Sequence, residues 1–431
     1  MPRRSLFSLR GPDRSLSRSS ANTPASDDEK RAHVFRRLSF AAHPGAVAAV
    51  ENQTPAELAR SMVAEAYDTQ PGTSSLLEPA DMDPPDFVQW WLAKMWAPEA
   101  TLRDRMTWFW HNHLPSSFEK ADIVYITAQH GLLETHALGN FRDLLQAITI
   151  DGAMLLYLDG SRSDGDDPNE NYAREVMELF ALGRGNYTED DIRVAARGLS
   201  GWYADYDSKT VGFDRDRHYD RPLRFFGERR RWDNESIIDA ICDQPACAPH
   251  VASAIYQHLV GVAPSPERRK ELGDVFRSND LEIRPLLEAI VDHPDFFAHV
   301  GGRARSAVEY VVGLVAALGQ DSFTPERWAL WGMGQVPYQP PNVAGWPGDE
   351  RWLTASQLLA RTNLLFQSEL SERLISRLEP EVDDVLAHCG LFDVSDETRQ
   401  AMQQAADEFP FDQTLELLLG LALASPEFQL S

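Results

Sequence analysis

The chain has 431 residues, of which 43% are hydrophobic, and it carries a net charge of −25. A chain of this length can bury a large core, and the composition is that of an ordinary globular protein. The negative charge argues against sequence-independent binding of nucleic acid, because phosphate contacts need a basic surface. Three cysteines without a metal-ligand spacing predict neither a disulfide framework nor a cysteine-built zinc site.

Charge is distributed unevenly along the chain. Residues 1–40 contain nine Lys and Arg and four Asp and Glu, so this segment is basic and the rest of the chain carries −30. We expect residues 1–29 to form a disordered basic tail. Residues 30–431 are expected to form a single helical domain with one or two lobes.

The N-terminus contains a pair of arginines but no apolar segment behind it. Arg3 and Arg4 resemble the start of a twin-arginine export signal, yet Gly11 and Pro12 interrupt the sequence that follows. No window of the chain is apolar over the thickness of a bilayer. We therefore expect no transmembrane segment and a cytoplasmic location.

Apolar residues recur at helical spacing through most of the chain. This periodicity predicts helices, in chain order, over residues 54–66, 85–97, 102–110, 120–127, 141–150, 192–198, 236–243, 250–260, 285–292, 305–317 and 355–365. The stretch 203–232 breaks the pattern and predicts a short β-hairpin or an irregular insertion. Residues 332–348 are rich in Pro and Gly and predict a long ordered loop. The predicted fold class is mainly α: a large multi-helix domain with that insertion near 203–232 and long ordered loops.

One further helix, predicted over residues 168–183, is the most informative segment. Pro168 suits the first turn of a helix, where its missing N–H is no loss, and Gly183 suits the residue just past the end. An apolar stripe at spacings of three and four runs along it, formed by Tyr172, Val176, Leu179 and Phe180. The boundaries and one packed face are thus well marked.

The same helix carries a row of charged side chains beside its apolar stripe. Glu170, Arg174 and Glu178 fall four residues apart, and Glu175 lies on an adjacent row. Such residues are either ion pairs on a solvated face, each contributing about 0.3–0.5 kcal/mol, or the polar groups of a site. As a site, they make Glu170, Arg174, Glu175 and Glu178 the candidate catalytic residues.

Three histidines are candidate metal ligands. His111 and His113 lie two residues apart where a hydrophobic helix is predicted to end, and His136 precedes another helix. In an extended segment, side chains two residues apart share a face, whereas on a helix they diverge and cannot bind one ion together. With the nearby carboxylates they supply the ligand types that bind zinc, manganese or iron, so a divalent metal ion is the candidate cofactor. Without a metal, the same set provides a Glu acid and a His base.

Several blocks of the sequence resemble, in order, those of DUF1800, a bacterial family of unknown function. The blocks are His33–Phe40, Trp108–His113, His136–Phe141, Pro168–Gly183, Asn186–Asp191, Gly198–Trp202, Phe213–Asp214 with Arg217–His218, and Pro340–Gly348. The resemblance implies a largely helical protein and a sulfatase-like partner protein, because many family members are encoded beside one. Many members also carry export signals, which this chain does not recognisably do. The family supplies no catalytic assignment.

Two functional hypotheses follow. The first is a hydrolase assisted by a metal or a carboxylate, with a His, Glu and Arg pocket in which Arg174 orients a substrate anion. Its candidate substrate-binding residues are Asn169, Asn171, Trp202, Asn342 and Trp346. The second is a non-catalytic helical binding or scaffold protein, in which the polar helix forms a buried ion-pair network.

Overall fold

The computed structural model describes residues 24–69, 82–319, 326–368, 372–375 and 377–431. Of the basic tail predicted for residues 1–29, residues 1–23 lie outside the described residues. The first helix, α1, starts at Asp27, where the side chain of Ser26 accepts a hydrogen bond from the amide of Glu29. Glu29 is buried and pairs with Arg36 at 2.6 Å, so the packed body begins a few residues before position 30.

The first half of the described chain is helical, with one π-helical segment. Its elements are α1 (Asp27–Leu38), α2 (Ala46–Ala49), α3 (Pro55–Asp68), α4 (Pro84–Trp96), α5 (Leu102–His113), α6 (Ile123–His136), α7 (Phe141–Thr149), α8 (Gly152–Tyr157), α9 (Asn171–Glu175), the π-helix Val176–Ala181 and α10 (Glu189–Gly198). Short 3-10 turns occur at Gly160–Arg162, Arg215–Arg217 and Asp349–Leu353.

Two small antiparallel hairpins follow α10. Strand β1 (Trp202–Asp205) pairs with β2 (Thr210–Phe213), and β3 (Leu223–Phe225) pairs with β4 (Glu228–Arg230). The register places Trp202 opposite Phe213. The β insertion predicted near 203–232 is therefore confirmed, as two hairpins in succession.

The rest of the described chain returns to helices. They are α11 (Asn234–Cys242), α12 (Cys247–Val260), α13 (Pro266–Ser278), α14 (Ile283–Val291), α15 (Asp295–Ala298), α16 (Ala307–Leu318), α17 (Glu326–Met333), α18 (Ala355–Gln367), α19 (Glu372–Ile375), α20 (Val382–His388), α21 (Asp396–Glu408) and α22 (Phe411–Ala424). Each predicted helix overlaps a described helix, although α6 runs from Ile123 to His136, well past the predicted end at residue 127, and the mainly α fold class is confirmed. Among the described helices, none is both long enough and apolar enough to cross a membrane.

Local sequence signals explain where individual helices start. Thr54, Pro55 and Glu57 begin α3 with a capping box and a proline in the first turn. A capping box also starts α16, where Ser306 and Glu309 cap each other. In α16 the capping residue Glu309 is also buried, and it pairs there with Arg105 and Arg303.

The buried apolar side chains form two clusters. The first cluster gathers residues from α1, α3, α5, α7, the π-helix and α10 to α14. The second gathers residues from α4, α16, α17, α20 and α22, together with the loop residues Tyr338 and Trp346. Helix α5 contributes to both, since Phe109 and Trp110 belong to the first cluster and Trp108 to the second. The end of α5 therefore lies where the two clusters meet.

Candidate functional site

The polar helix is not a regular α-helix from end to end. The side chain of Asn169 accepts a hydrogen bond from the amide of Asn171 at 2.8 Å, and this turn delays the helix start beyond Pro168. After five residues the helix widens into a π-helix, and Gly183 ends it with a φ of +79°. Such π turns are rare and occur frequently at functional sites.

The ion pairs of this helix lie at the surface. Arg174 donates to Glu170 at 3.2 Å and, through both terminal nitrogens, to Glu189 at 2.9 and 3.0 Å. The three side chains are 35%, 37% and 63% exposed, respectively. The pairs thus tie α9 to the first turn of α10 in contact with solvent, where each is worth about 1 kcal/mol or less.

Glu175 and Glu178 are neighbouring carboxyl groups in different environments. Glu178 accepts hydrogen bonds from Nε of Arg184 at 2.6 Å and from the hydroxyl of Tyr187 at 3.0 Å. The bond from Arg184 is the main reason why the pKa of Glu178 is lowered. Partial burial, and then the charge of Glu178, raise the pKa of Glu175. Such a divergence of two carboxyl groups is a pattern of acid and base pairs.

The three candidate metal-binding histidines have different surroundings. Nε2 of buried His111 accepts a hydrogen bond from the amide of Tyr338 at 3.1 Å. Nε2–H of His113 donates to the carbonyl of Phe180 at 2.9 Å. His136 lies half-buried at the end of α6. Within the described ranges, no group of three or more His, Cys, Asp or Glu side chains is arranged to hold a metal ion.

The π-helix explains the position of His113. Its widened turn leaves the carbonyls of Leu179 and Phe180 available to side chains, and they accept from His250 and His113, both at 2.9 Å. Burial, and then the nearby His250, lower the pKa of His113 to about 4, so its imidazole is neutral at pH 7. The sequence predicted a site residue at His113 but not the carbonyl that orients it.

The candidate substrate-binding residues are spread over the surface and the interior. Trp202 packs on Phe213 in the first hairpin, with ring centroids 5.2 Å apart, and Asn171 is exposed. Asn342 closes an exposed turn by accepting from the amide of Ala344 at 2.8 Å. Trp346, discussed next, is buried.

Trp346 is held in place by α5. Its amide donates to Oδ1 of Asn112 at 2.8 Å, and its ring stacks beside Trp108 with centroids 5.9 Å apart. Gly345 before it has a φ of +72°, and a Cβ there would overlap the carbonyl oxygen of Asn112. Only a glycine lets the loop approach α5 this closely, which accounts for the Gly345–Trp346 pair in the sequence.

A cavity of about 290 Å³ lies where the two hydrophobic clusters meet. Its lining includes Trp108, Phe109, Asn112 and His113 of α5, Leu179 of the π-helix, Ala254, Gln257 and His258 of α12, Arg303, Ser306, Glu309 and Gln335, and Ala344, Trp346 and Trp352. Of the candidate site residues from the sequence, His113 and Trp346 line it. Glu170, Arg174, Glu175 and Glu178 are not among the described lining residues.

The polar wall of this cavity is built around Glu309. Its Oε1 accepts from Nη2 of Arg105 at 2.5 Å and also from Nη2 of Arg303, and its Oε2 accepts from the amide of Ser306 at 2.8 Å. Burial alone would raise the pKa of Glu309, but the two guanidinium groups outweigh burial and hold it well below its usual value. Glu309 is therefore an ionised carboxylate shared by two arginines.

His258 is the second polar group that the sequence did not single out. It lies on α12 beside the ring of Phe109, and burial, together with the charges of Arg105 and Arg303, lowers its pKa well below the usual range. Its imidazole is therefore neutral at pH 7. No local pattern marks His258, Arg303 or Glu309 as members of one site, because they come from separate segments. Glu309 does belong to a local pattern, the capping box of α16, but that pattern indicates only a helix start.

A larger hollow of about 1160 Å³ lies between α1, α3 and the end of α16. Thr69 and Gly319 on its rim adjoin residues outside the described ranges. The smaller cavity is lined by residues of the elements named above, and it combines three tryptophans with ionised and neutral polar groups. It is the candidate functional site.

No curated protein and no solved structure matches the chain. The sequence model described as "Protein of unknown function (DUF1800)" matches residues 33–430. This range includes nearly the whole chain, from α1 past α22, and it contains every residue of the candidate site. The chain therefore belongs to the DUF1800 family.

Proposed function

We propose that this protein binds a small-molecule ligand in the cavity between its two hydrophobic clusters. The observation that supports this proposal is the composition of the cavity wall: Trp108, Trp346 and Trp352 lie together with His258 and Arg303. Apolar and aromatic walls with a few polar groups are typical of ligand sites, and about 290 Å³ is close to the lower end of their usual size. The ligand would therefore be small.

Unsatisfied polar atoms at the same place support the proposal. Nε1 of Trp346, Nε2 of His258 and Nε of Arg303 are buried and, in the part of the chain that the structure describes, have no hydrogen-bond partner. Leaving a buried donor or acceptor unpaired costs about 1–3 kcal/mol. These atoms are closed off from the cavity in this conformation, so a polar ligand would supply their partners only when the side chains shift toward it.

The test compares ligand binding with the cavity open and filled. Ala254 lines the cavity, so Ala254→Phe should occupy part of it, whereas Ala401→Phe adds the same ring to an exposed position on α21. Thermal unfolding of the wild type is followed with a panel of neutral, anionic and cationic metabolites of fewer than about 20 non-hydrogen atoms. We expect at least one to raise the Tm of the wild type and of Ala401→Phe but not that of Ala254→Phe. Equal shifts in all three proteins would place the binding elsewhere and contradict the proposal.

The second candidate function is carboxylate-assisted hydrolysis at the polar helix. The opposite pKa shifts of Glu175 and Glu178 favour it, since a carboxyl group with a raised pKa beside one with a lowered pKa is the pattern of an acid and base pair. Hydrolysis of p-nitrophenyl acetate and p-nitrophenyl phosphate is measured for Glu175→Gln, Glu178→Gln and the exposed control Glu267→Gln. Activity lost in the first two variants but retained in the control would support this function. Wild-type protein without activity above that of the buffer would count against it.

A further inference from the structure

One wall of the cavity adjoins a buried group of three arginines, which we name the arginine cluster: Arg37 of α1, Arg105 of α5 and Arg303 before α16. Their charges act on one another and on Glu309. Arg105 and Arg303 share Oε1 of Glu309, whereas Arg37 donates to the carbonyl of Val260 at 3.0 Å. Within the part of the chain that the structure describes, three positive charges therefore share one carboxylate.

The arginine cluster also has more donors than acceptors. Among the described residues, Nε and Nη1 of Arg37, Nε and Nη1 of Arg105 and Nε of Arg303 are buried without a hydrogen-bond partner. Arg37 and Arg105 are both 0% exposed. A buried guanidinium normally needs a counter-charge and acceptors for its five N–H groups, because desolvating it is costly. Both acceptor atoms and negative charge are in short supply here.

The cavity gives a ligand access to the cluster through Arg303. Arg303 lines the cavity together with His258 and Glu309, and its side chain is 13% exposed, whereas Arg37 and Arg105 are fully buried behind it. Water could supply acceptor oxygens but not negative charge. Because Arg37 and Arg105 are buried, a charge near them also acts on them without contact, so an anion beside Arg303 would stabilise both of them as well.

We propose that the ligand of this cavity carries an oxyanion, either a carboxylate, a phosphate or a sulfate, which binds against Arg303 and His258 and offsets the charge of the arginine cluster. The inference rests on the proposed function, since it assigns a chemical class to the ligand of the same cavity. The tryptophans opposite would contact the uncharged remainder of the ligand. Arg303 presents the planar donor geometry that matches all three oxyanions.

Binding of an oxyanion should be linked to protonation of His258. The charged groups that act on this imidazole are Arg37, Arg105, Arg303 and Glu309; the arginines lower its pKa and Glu309 raises it. A bound anion adds a second negative charge and raises the pKa of His258 further. Binding of the anion and protonation of His258 therefore favour each other, and the affinity should increase as the pH falls toward the pKa of this imidazole.

The experiment is isothermal titration of the full chain in dilute buffer without added salt. The probes are sodium acetate, sodium phosphate and sodium sulfate, with acetamide as the neutral counterpart of acetate. The variant is Arg303→Gln, and the control is Arg284→Gln, which removes an arginine from an exposed pair on α14. We expect at least one anion to bind at millimolar concentration, with an affinity lowered about tenfold or more in Arg303→Gln and unchanged in the control. The anion that binds most tightly identifies the group.

Several results would overturn the inference. They are equal binding of acetate and acetamide, anion binding that persists in Arg303→Gln, and binding of none of the three anions. If neutral metabolites bind and Ala254→Phe abolishes this, the cavity is a ligand site and only the oxyanion assignment fails. If neither the anions nor the metabolites bind in a way that Ala254→Phe abolishes, the proposed function fails as well. Should Arg303→Gln not fold, Ala254→Phe decides, because it fills part of the cavity, and anion binding that is unchanged in this variant refutes an oxyanion site there.

Discussion

The substitution Glu309→Gln tests whether a single carboxylate holds the arginine cluster in the interior. Glutamine keeps the size of the side chain and can still accept from the amide of Ser306, so the capping box of α16 is largely preserved. What is lost is the negative charge shared by Arg105 and Arg303. Removing one partner of a buried ion pair costs about 3–5 kcal/mol, because the remaining charges stay buried without compensation. We expect a loss of free energy of unfolding in that range.

The assay is equilibrium unfolding in urea, followed by the fluorescence of the eleven tryptophans and by circular dichroism. The matched control is Glu288→Gln, which breaks the pair of Glu288 with Arg284 at 2.9 Å. Those side chains are 49% and 48% exposed, so the control should lose only about 0.5 kcal/mol or less. Sulfate or phosphate should restore more stability to Glu309→Gln than to the control. If both variants lose the same amount, Glu309 does not neutralise the cluster and the reasoning is refuted.

The remaining predictions concern pH, backbone conformation and the surface ion pairs. Burial lowers the pKa of His130 from 6.5 to about 3, so below pH 6.5 the unfolded chain binds a proton that the folded protein does not, and stability should fall as the pH drops. In His130→Phe, the slope of the unfolding free energy against pH should be smaller by about 1.4 kcal/mol per pH unit between pH 6 and pH 4. A slope equal to that of the wild type would contradict this. Gly345→Ala should cost about 2 kcal/mol or more in urea unfolding, whereas Gly348→Ala, where no described atom lies within 4 Å of the added Cβ, should change stability by less than about 0.5 kcal/mol. Arg174→Ala should cost about 1 kcal/mol or less, because its partners Glu170 and Glu189 can be hydrated; complete unfolding of this variant would show that the pairs are structural supports.

The helical fold could be predicted from the sequence because its information is local. Apolar residues at spacings of three and four marked helices such as α5 and α12, and Gly and Pro marked the loop after α17. Several helices lie outside the predicted ranges; one of them, α13, has a thin apolar stripe, in which Leu272 and Phe276 are the buried large apolar residues. The π-helix was also missed, since nothing in its residue spacing distinguishes it from an α-helix.

The candidate site was predicted only in part. His113 and Trp346 stood out because each lies in an aromatic block with polar neighbours. The arginine cluster could not be predicted in this way: its members come from α1, α5 and the segment before α16, and each looks like an ordinary arginine in its own segment. Their meeting depends on how the two hydrophobic clusters pack, which is a long-range property of the fold.

The π-helix Val176–Ala181 constrains how many residues this segment of the chain contains more strongly than which residues they are. A π turn bonds five residues back instead of four, so it contains one residue more than the α turn that it replaces. Deleting one residue there would let the helix close its own hydrogen bonds, withdraw the carbonyls that His113 and His250 use, and rotate Arg174 by about 100° relative to Gly183. Members of the family that keep this geometry should therefore have the same number of residues between Arg174 and Gly183, whatever those residues are.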